Sequence, residues 1–171
     1  MTKTKKLTIS AVLLALALIL PFFTSQLKAL GQMLLPMHLP VLLAGYIVGG
    51  PWAAFIGALA PLIRHFLWGM PPLNAAVSMT FELATYGFVS GYIYGKSKKK
   101  NRDIFISLVA AMIAGRAVWG IVSFIVNRAL GNPFTLKIFM AGAFINALPG
   151  IILQLIAVPV IVTALKKSKI I

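Results

Sequence analysis

Residues 52–94 read WAAFIGALAPLIRHFLWGMPPLNAAVSMTFELATYGFVSGYIY, two apolar runs (52–68 and 74–94) separated by the turn sequence GMPP at 69–72. Each run is long enough to cross a ~30 Å hydrocarbon layer at 1.5 Å per residue. Each also carries a charge inside it, Arg64 in the first and Glu82 in the second. A charged side chain near the middle of a bilayer costs about 2.5–3.5 kcal/mol on insertion scales, so it faces a polar interior and marks a substrate or ion path. These two helices therefore predict a membrane bundle with a polar centre.

The pattern extends in both directions. Hydropathy predicts six transmembrane helices, over about residues 7–23, 30–48, 52–68, 74–94, 104–126 and 140–165, in one all-α domain spanning 1–171. Arg116 lies inside the fifth in the same way. The second is interrupted by Pro36 and Pro40, which predicts a kinked or half-unwound entry. Residues 24–38 are too long and too mixed for a tight turn and form a candidate lid. Gly49-Gly50-Pro51 predicts a minimal link between antiparallel neighbours, with glycine free to turn and proline at a helix start. The competing reading of residues 1–31 is a signal peptide cut near Ala29 or Gly31; we read a first span instead. Gly87, Gly91 and Gly95 form a small-residue stripe for close helix packing.

The whole chain is 60% hydrophobic, with a mean hydropathy of +0.98 and a formal charge of +14. In a soluble protein that charge would suggest nucleic acid. Here it sets sidedness, and no nucleic-acid partner is expected. Eleven cations (Lys3, Lys5, Lys6, Lys96, Lys98, Lys99, Lys100, Arg102, Lys166, Lys167, Lys169) fall on one side, against Lys28, Arg128 and Lys137 on the other. Positive loops stay inside, so both termini are expected in the cytoplasm.

Depth gathers the scattered polar residues. Arg64 and Arg116 lie roughly 18–20 Å from the cytoplasmic edge, Glu82 ~12 Å below the outer surface, and Gln154 ~17 Å from the inner edge, all one level in a ~30 Å core. Trp68, Ser78 and Trp119 sit one helical turn outward of Arg64, Glu82 and Arg116, and Asn146, Gly150 and Gln154 recur at intervals of four. One reading is an internal ion pair such as Arg64 with Glu82. Two arginines against one glutamate still leave a surplus buried charge, which a bound anion would neutralise; arginine offers a planar fork suited to a carboxylate. The candidate ligand residues are therefore Arg64, Trp68, Ser78, Glu82, Arg116, Trp119, Asn146, Gln154 and the lid residue His38.

Catalysis lacks parts. The only acids are Glu82 and Asp103, there is no cysteine, and the histidines are His38 and His65, so neither a metal site nor a paired-carboxylate mechanism is expected, and no cofactor. Gly95-Lys96-Ser97 resembles the end of a phosphate-binding loop, but its upstream glycine would fall at Ser90. A channel would need a polar stripe through the inner half, whereas residues 155–165 are apolar apart from Thr163.

Three stretches together, AVLLA at 11–15, LPMHLPVLLAGYIVGGPWAAFIGALAPLIRHFLWGMPPL at 35–73 and FELATYGFVSGYIYG at 81–95, resemble the substrate-binding S components of energy-coupling factor (ECF) vitamin transporters, over nearly the whole chain. The resemblance implies a multi-pass protein of the bacterial cell membrane that captures a small water-soluble vitamin from outside. It implies as partners a transmembrane coupling subunit and two ATPase subunits, which supply the hydrolysis this chain has no motif for. It also implies that the alanine face of the first helix, Ala11 and Ala15, docks the coupling subunit, and that the loop after that helix gates the pocket. Pantothenate-type members are the nearest match; pyridoxine, with Trp68, Trp119 and Tyr86 as stacking partners, is the alternative vitamin. A stand-alone transporter is the rival to an S component.

Overall fold

A computed structural model describes residues 1–25 and 33–168. Among these residues the secondary structure is helical, without a strand. Helix α1 spans Lys3–Ser25, α2 His38–Ile47, α3 Gly50–Trp68, α4 Leu73–Lys96, α5 Asn101–Ala129, α6 Leu136–Met140 and α7 Leu148–Lys167, with a π-helical turn at Ala141–Ile145 between the last two.

Three segments are long and apolar enough to cross a membrane by themselves: Lys3–Thr24, Asn101–Ala129 and Leu136–Lys167. Helices α3 and α4, of 19 and 24 residues, have the length but are diluted by charged, polar and small residues. The outer surface is apolar in the manner of a protein bathed in lipid: Phe55, Phe66, Ile113 and Ile156 are all more than 60% exposed. Glu82, Ser90, Ser107, Arg116 and Gln154 are buried. This inverts the usual arrangement of a water-soluble chain, where a large continuous apolar exterior is rare.

Helix α4 is the hub. It packs along α2, α3 and α5, while α1 leans on α2 and α3, and α7 touches α5 and α2. Glycines make the close approaches. A β-carbon on Gly57 would strike the Leu83 carbonyl, one on Gly87 would lie 2.6 Å from the Ala53 backbone, and one on Gly91 would meet Gly50 and Gly45. Gly95, the third member of the expected stripe, has nothing near it. Nearer the lysine-rich end, the Tyr46 hydroxyl lies 3.1 Å from the Ile104 carbonyl and 3.0 Å from Ser107 Oγ, tying α2 to α5.

Helix α2 is shorter than the expected 30–48. Residues 26–32, about half of the candidate lid at 24–38, lie outside the described residues. The helix begins only at His38, with its first amide bonded to the Leu35 carbonyl at 3.0 Å. Pro36 precedes the helix and Pro40 falls in its first turn, where no amide donor is required, so the half-unwound entry has the expected cause. Gly49, at φ 95°, makes the tight link into α3. The single span expected over 140–165 is interrupted. The Asn146 amide reaches back five residues to the Ala141 carbonyl at 2.8 Å, which changes the helical phase before α7 begins.

Candidate functional site

The buried charge centre joins three helices. Glu82, one turn before Tyr86 on α4, receives Arg116 from α5, with Nη1 2.9 Å from Oε1, and His38 from the start of α2, with Nε2 3.4 Å from the same oxygen. All three side chains are almost wholly enclosed, Glu82 and His38 at 1% exposure and Arg116 at 6%. Tyr86 stands edge-on to the His38 ring at 5.2 Å and is backed by Gly115, where a β-carbon would come within 2.8 Å of the phenol ring. Ser78, one turn to the other side of Glu82, donates to the Asn74 carbonyl of its own helix at 3.1 Å.

The hydrogen-bonding capacity of this centre is largely unused. Among the described residues no well-aligned hydrogen bond from protein reaches His38 Nδ1, Arg116 Nε and Nη2, or either amide atom of Gln154, while the Tyr86 hydroxyl lies within reach of the Arg116 guanidinium. Gln154 is completely buried on α7, the helix that packs against those carrying His38 and Arg116. An unpaired buried polar group costs about 1–3 kcal/mol, so a concentration of them in one layer of a bundle is expensive unless something polar enters. The unused nitrogens of Arg116 are its side-on edge, the pair of parallel donors that grips a carboxylate at two points. Glu82 occupies the remaining nitrogen, so one guanidinium is anchored to protein and still presents a fork.

Arg64 does not reach Glu82. Its Nη1 donates to the Leu18 carbonyl of α1 at 2.7 Å, and its guanidinium lies over the Phe22 ring at 4.5 Å and near the Trp68 ring at 5.7 Å. Phe22 and Trp68 meet edge-to-face at 5.1 Å. Arg64 and Trp68 thus form a junction between α1 and α3, in which aromatic faces and a carbonyl dipole offset the cation. Leu18 and Phe22 carried no signal in the sequence that would connect them to Arg64.

Trp119 also lies elsewhere. It stacks on Phe139 at 6.1 Å and abuts Gly142 of the π-helical turn. Asn146 is exposed, because the five-residue turn sets it out of phase with Gln154. Gly150, in contrast, is buried against the segment that leads into α2; a β-carbon there would approach the Met33 carbonyl to 2.7 Å and the Leu35 side chain to 2.8 Å. The described end of the lid thus rests on α7, one turn from Gln154. Of the expected residues, the structure brings His38, Glu82 and Arg116 into contact, with Ser78 and Gln154 on adjoining turns and helices. On α1, Ala11 and Ala15 are exposed on the face opposite the buried Leu13 and Ala17.

A helical, lipid-adapted bundle with an enclosed polar centre defines a membrane protein. The family model described as ECF transporter, substrate-specific component, matches residues 5–162. The chain belongs to that family, whose members are the binding subunits of transporters and not enzymes. No curated protein and no solved structure is significantly similar to the chain.

Proposed function

We propose that the chain captures a small water-soluble vitamin or precursor between α2, α4, α5 and α7 as the S component of an ECF transporter, with a carboxylate held on the side-on edge of Arg116. One observation supports this reading: buried polar atoms of His38 and Arg116 beside the Arg116–Glu82 pair, and of Gln154 on the helix packed against theirs, lack well-aligned protein partners among the described residues. A ligand for this set needs an acceptor pair for Arg116 and both a donor and an acceptor for the Gln154 amide. Pantothenate, with its carboxylate, hydroxyls and amide, meets each requirement. The lysine bias supports six crossings with both termini in the cytoplasm, so the lid opens to the outside. Exposed Ala11 and Ala15 supply a methyl-lined face on which a coupling subunit can approach closely, with ATP hydrolysis in its partner ATPases.

The test is native mass spectrometry and thermal shift of the purified protein against B vitamins and their precursors, without nucleotide. Pantothenate is expected to bind and to lose affinity when Gln154 becomes Leu. Binding of pyridoxine with no response to pantothenate would replace the carboxylate assignment by an aromatic one. Uptake by this chain without the coupling module would make it a stand-alone transporter.

A further inference from the structure

A groove of about 440 Å³ runs between the beginning of α5 and the end of α7, on the lysine-rich side of Arg116 and Gln154. Its mouth is polar, formed by Asn101, the first residue of α5, together with Thr163 and Lys167 at the end of α7. Its deeper wall is apolar, formed by Phe105, Pro159 and Val160. From Lys167 to Pro159 is eight residues, or roughly 12 Å along the axis. Both helices belong to segments able to cross a membrane, so the open side of the groove faces acyl chains.

The charge at the mouth is predominantly positive. Lys166 donates to the Lys99 carbonyl, which holds the Lys98–Lys100 segment beside the end of α7. Arg102 is exposed on the first turn of α5. The chain has two acids, and among the described residues neither forms an ion pair with these cations, so the mouth keeps a large positive excess. Asp103 is turned back to accept from the Lys100 amide at 2.9 Å, and Glu82 is buried against Arg116. A cationic rim over an apolar slot, with the change from polar to apolar following membrane depth, complements a phosphodiester joined to a hydrocarbon chain. The exposed alanine pair lies on α1, which packs on α2 and α3, so the face suited to a protein partner is not this one.

We propose that the groove binds one anionic phospholipid, with its phosphate at Asn101, Thr163 and Lys167 and an acyl chain along Phe105, Pro159 and Val160. The proposal does not depend on which vitamin the chain carries.

The test uses the purified full-length protein, delipidated in detergent, and phosphatidylglycerol or phosphatidylcholine with the same acyl chains at equal mole fraction. Phosphatidylglycerol is expected to raise the thermal midpoint by a few degrees and phosphatidylcholine to leave it in place. Lys167→Glu, at the rim, and Val160→Trp, filling the slot, should each remove most of that rise without moving the lipid-free midpoint. Glycerol 3-phosphate alone should do nothing, because the chain is part of the ligand. Equal responses to the two lipids, a rise that survives both substitutions, or a rise reproduced by glycerol 3-phosphate would overturn the assignment. In membranes, a photoreactive side chain at position 160 should label lipid; dominant labelling of a protein partner or of a second copy would likewise reject it.

Discussion

Replacing Arg116 by Met separates the charge centre into its parts. The substitution leaves the Glu82 carboxylate, 1% exposed, with His38 Nε2 at 3.4 Å as its remaining polar neighbour. Removing one partner of a buried ion pair costs about 3–5 kcal/mol, because the other charge stays desolvated and uncompensated. For a chain of this size each kcal/mol moves the thermal midpoint by roughly 2–4 °C, which predicts a fall of roughly 6–20 °C for Arg116→Met. Glu82→Gln strands the guanidinium and should fall in the same range. The double variant buries no formal charge at these two positions, and a buried pair replaced as a unit is often near neutral. It should therefore recover most of the loss, giving a coupling of about 2 kcal/mol or more. Unfolding midpoints of the four proteins, measured in one detergent without vitamin, close the cycle. If Arg116→Met costs less than about 1 kcal/mol, or the double variant equals the sum of the singles, the pair does not hold α4 to α5 as described.

Gln154→Leu should stabilise the ligand-free protein, since it deletes two buried amide atoms that no group among the described residues satisfies, worth about 1–3 kcal/mol, while weakening vitamin binding at least tenfold; parallel thermal-shift and binding titrations check both signs. Gly57→Ala drives a methyl into the Leu83 carbonyl and should cost about 1–3 kcal/mol in the same unfolding assay. Gly95→Ala, on the same faces of the sequence pattern but with no neighbour, should be neutral or stabilising by up to about 1 kcal/mol. Ala11→Trp, on the exposed face of α1, should abolish ATP-driven uptake in cells that express the coupling module and leave vitamin binding by the purified chain intact.

What the sequence made legible is what depends on length and depth. A straight helix converts residue number into height at 1.5 Å per step, so the common level of Glu82 and Arg116 follows from counting, and their contact at 2.9 Å agrees with it. Counting does not give azimuth. Arg64 shares that height and, seven residues from Gly57, leaves α3 on nearly the face that packs against α4, yet its long side chain reaches sideways to the Leu18 carbonyl and the Phe22 ring of α1. No spacing rule within α3 encodes it; it follows from close contacts between helices. Asn146 was lost for a different reason. The alignment with Gly150 and Gln154 assumes an unbroken 3.6-residue period, and one five-residue backbone bond at Asn146 cancels the assumption.

The partition of the two arginines also changes the electrostatic case for a ligand. Counted from the sequence, two cations and one acid leave a charge seeking an anion. In the folded chain, Arg64 is accommodated by a carbonyl and two aromatic rings at the α1–α3 junction, and Arg116 is neutralised by Glu82. Net charge then no longer calls for a ligand; unused directional donors do. The Glu82 contact on the third nitrogen orients Arg116 Nε and Nη2, and a fork oriented before binding loses less entropy when it closes on a carboxylate. On the proposed reading, Glu82 acts on the ligand through Arg116. Its removal should therefore weaken carboxylate binding even though a carboxylate of the same sign has been taken away, whereas a site working by net charge alone would bind an anion more tightly after the same change.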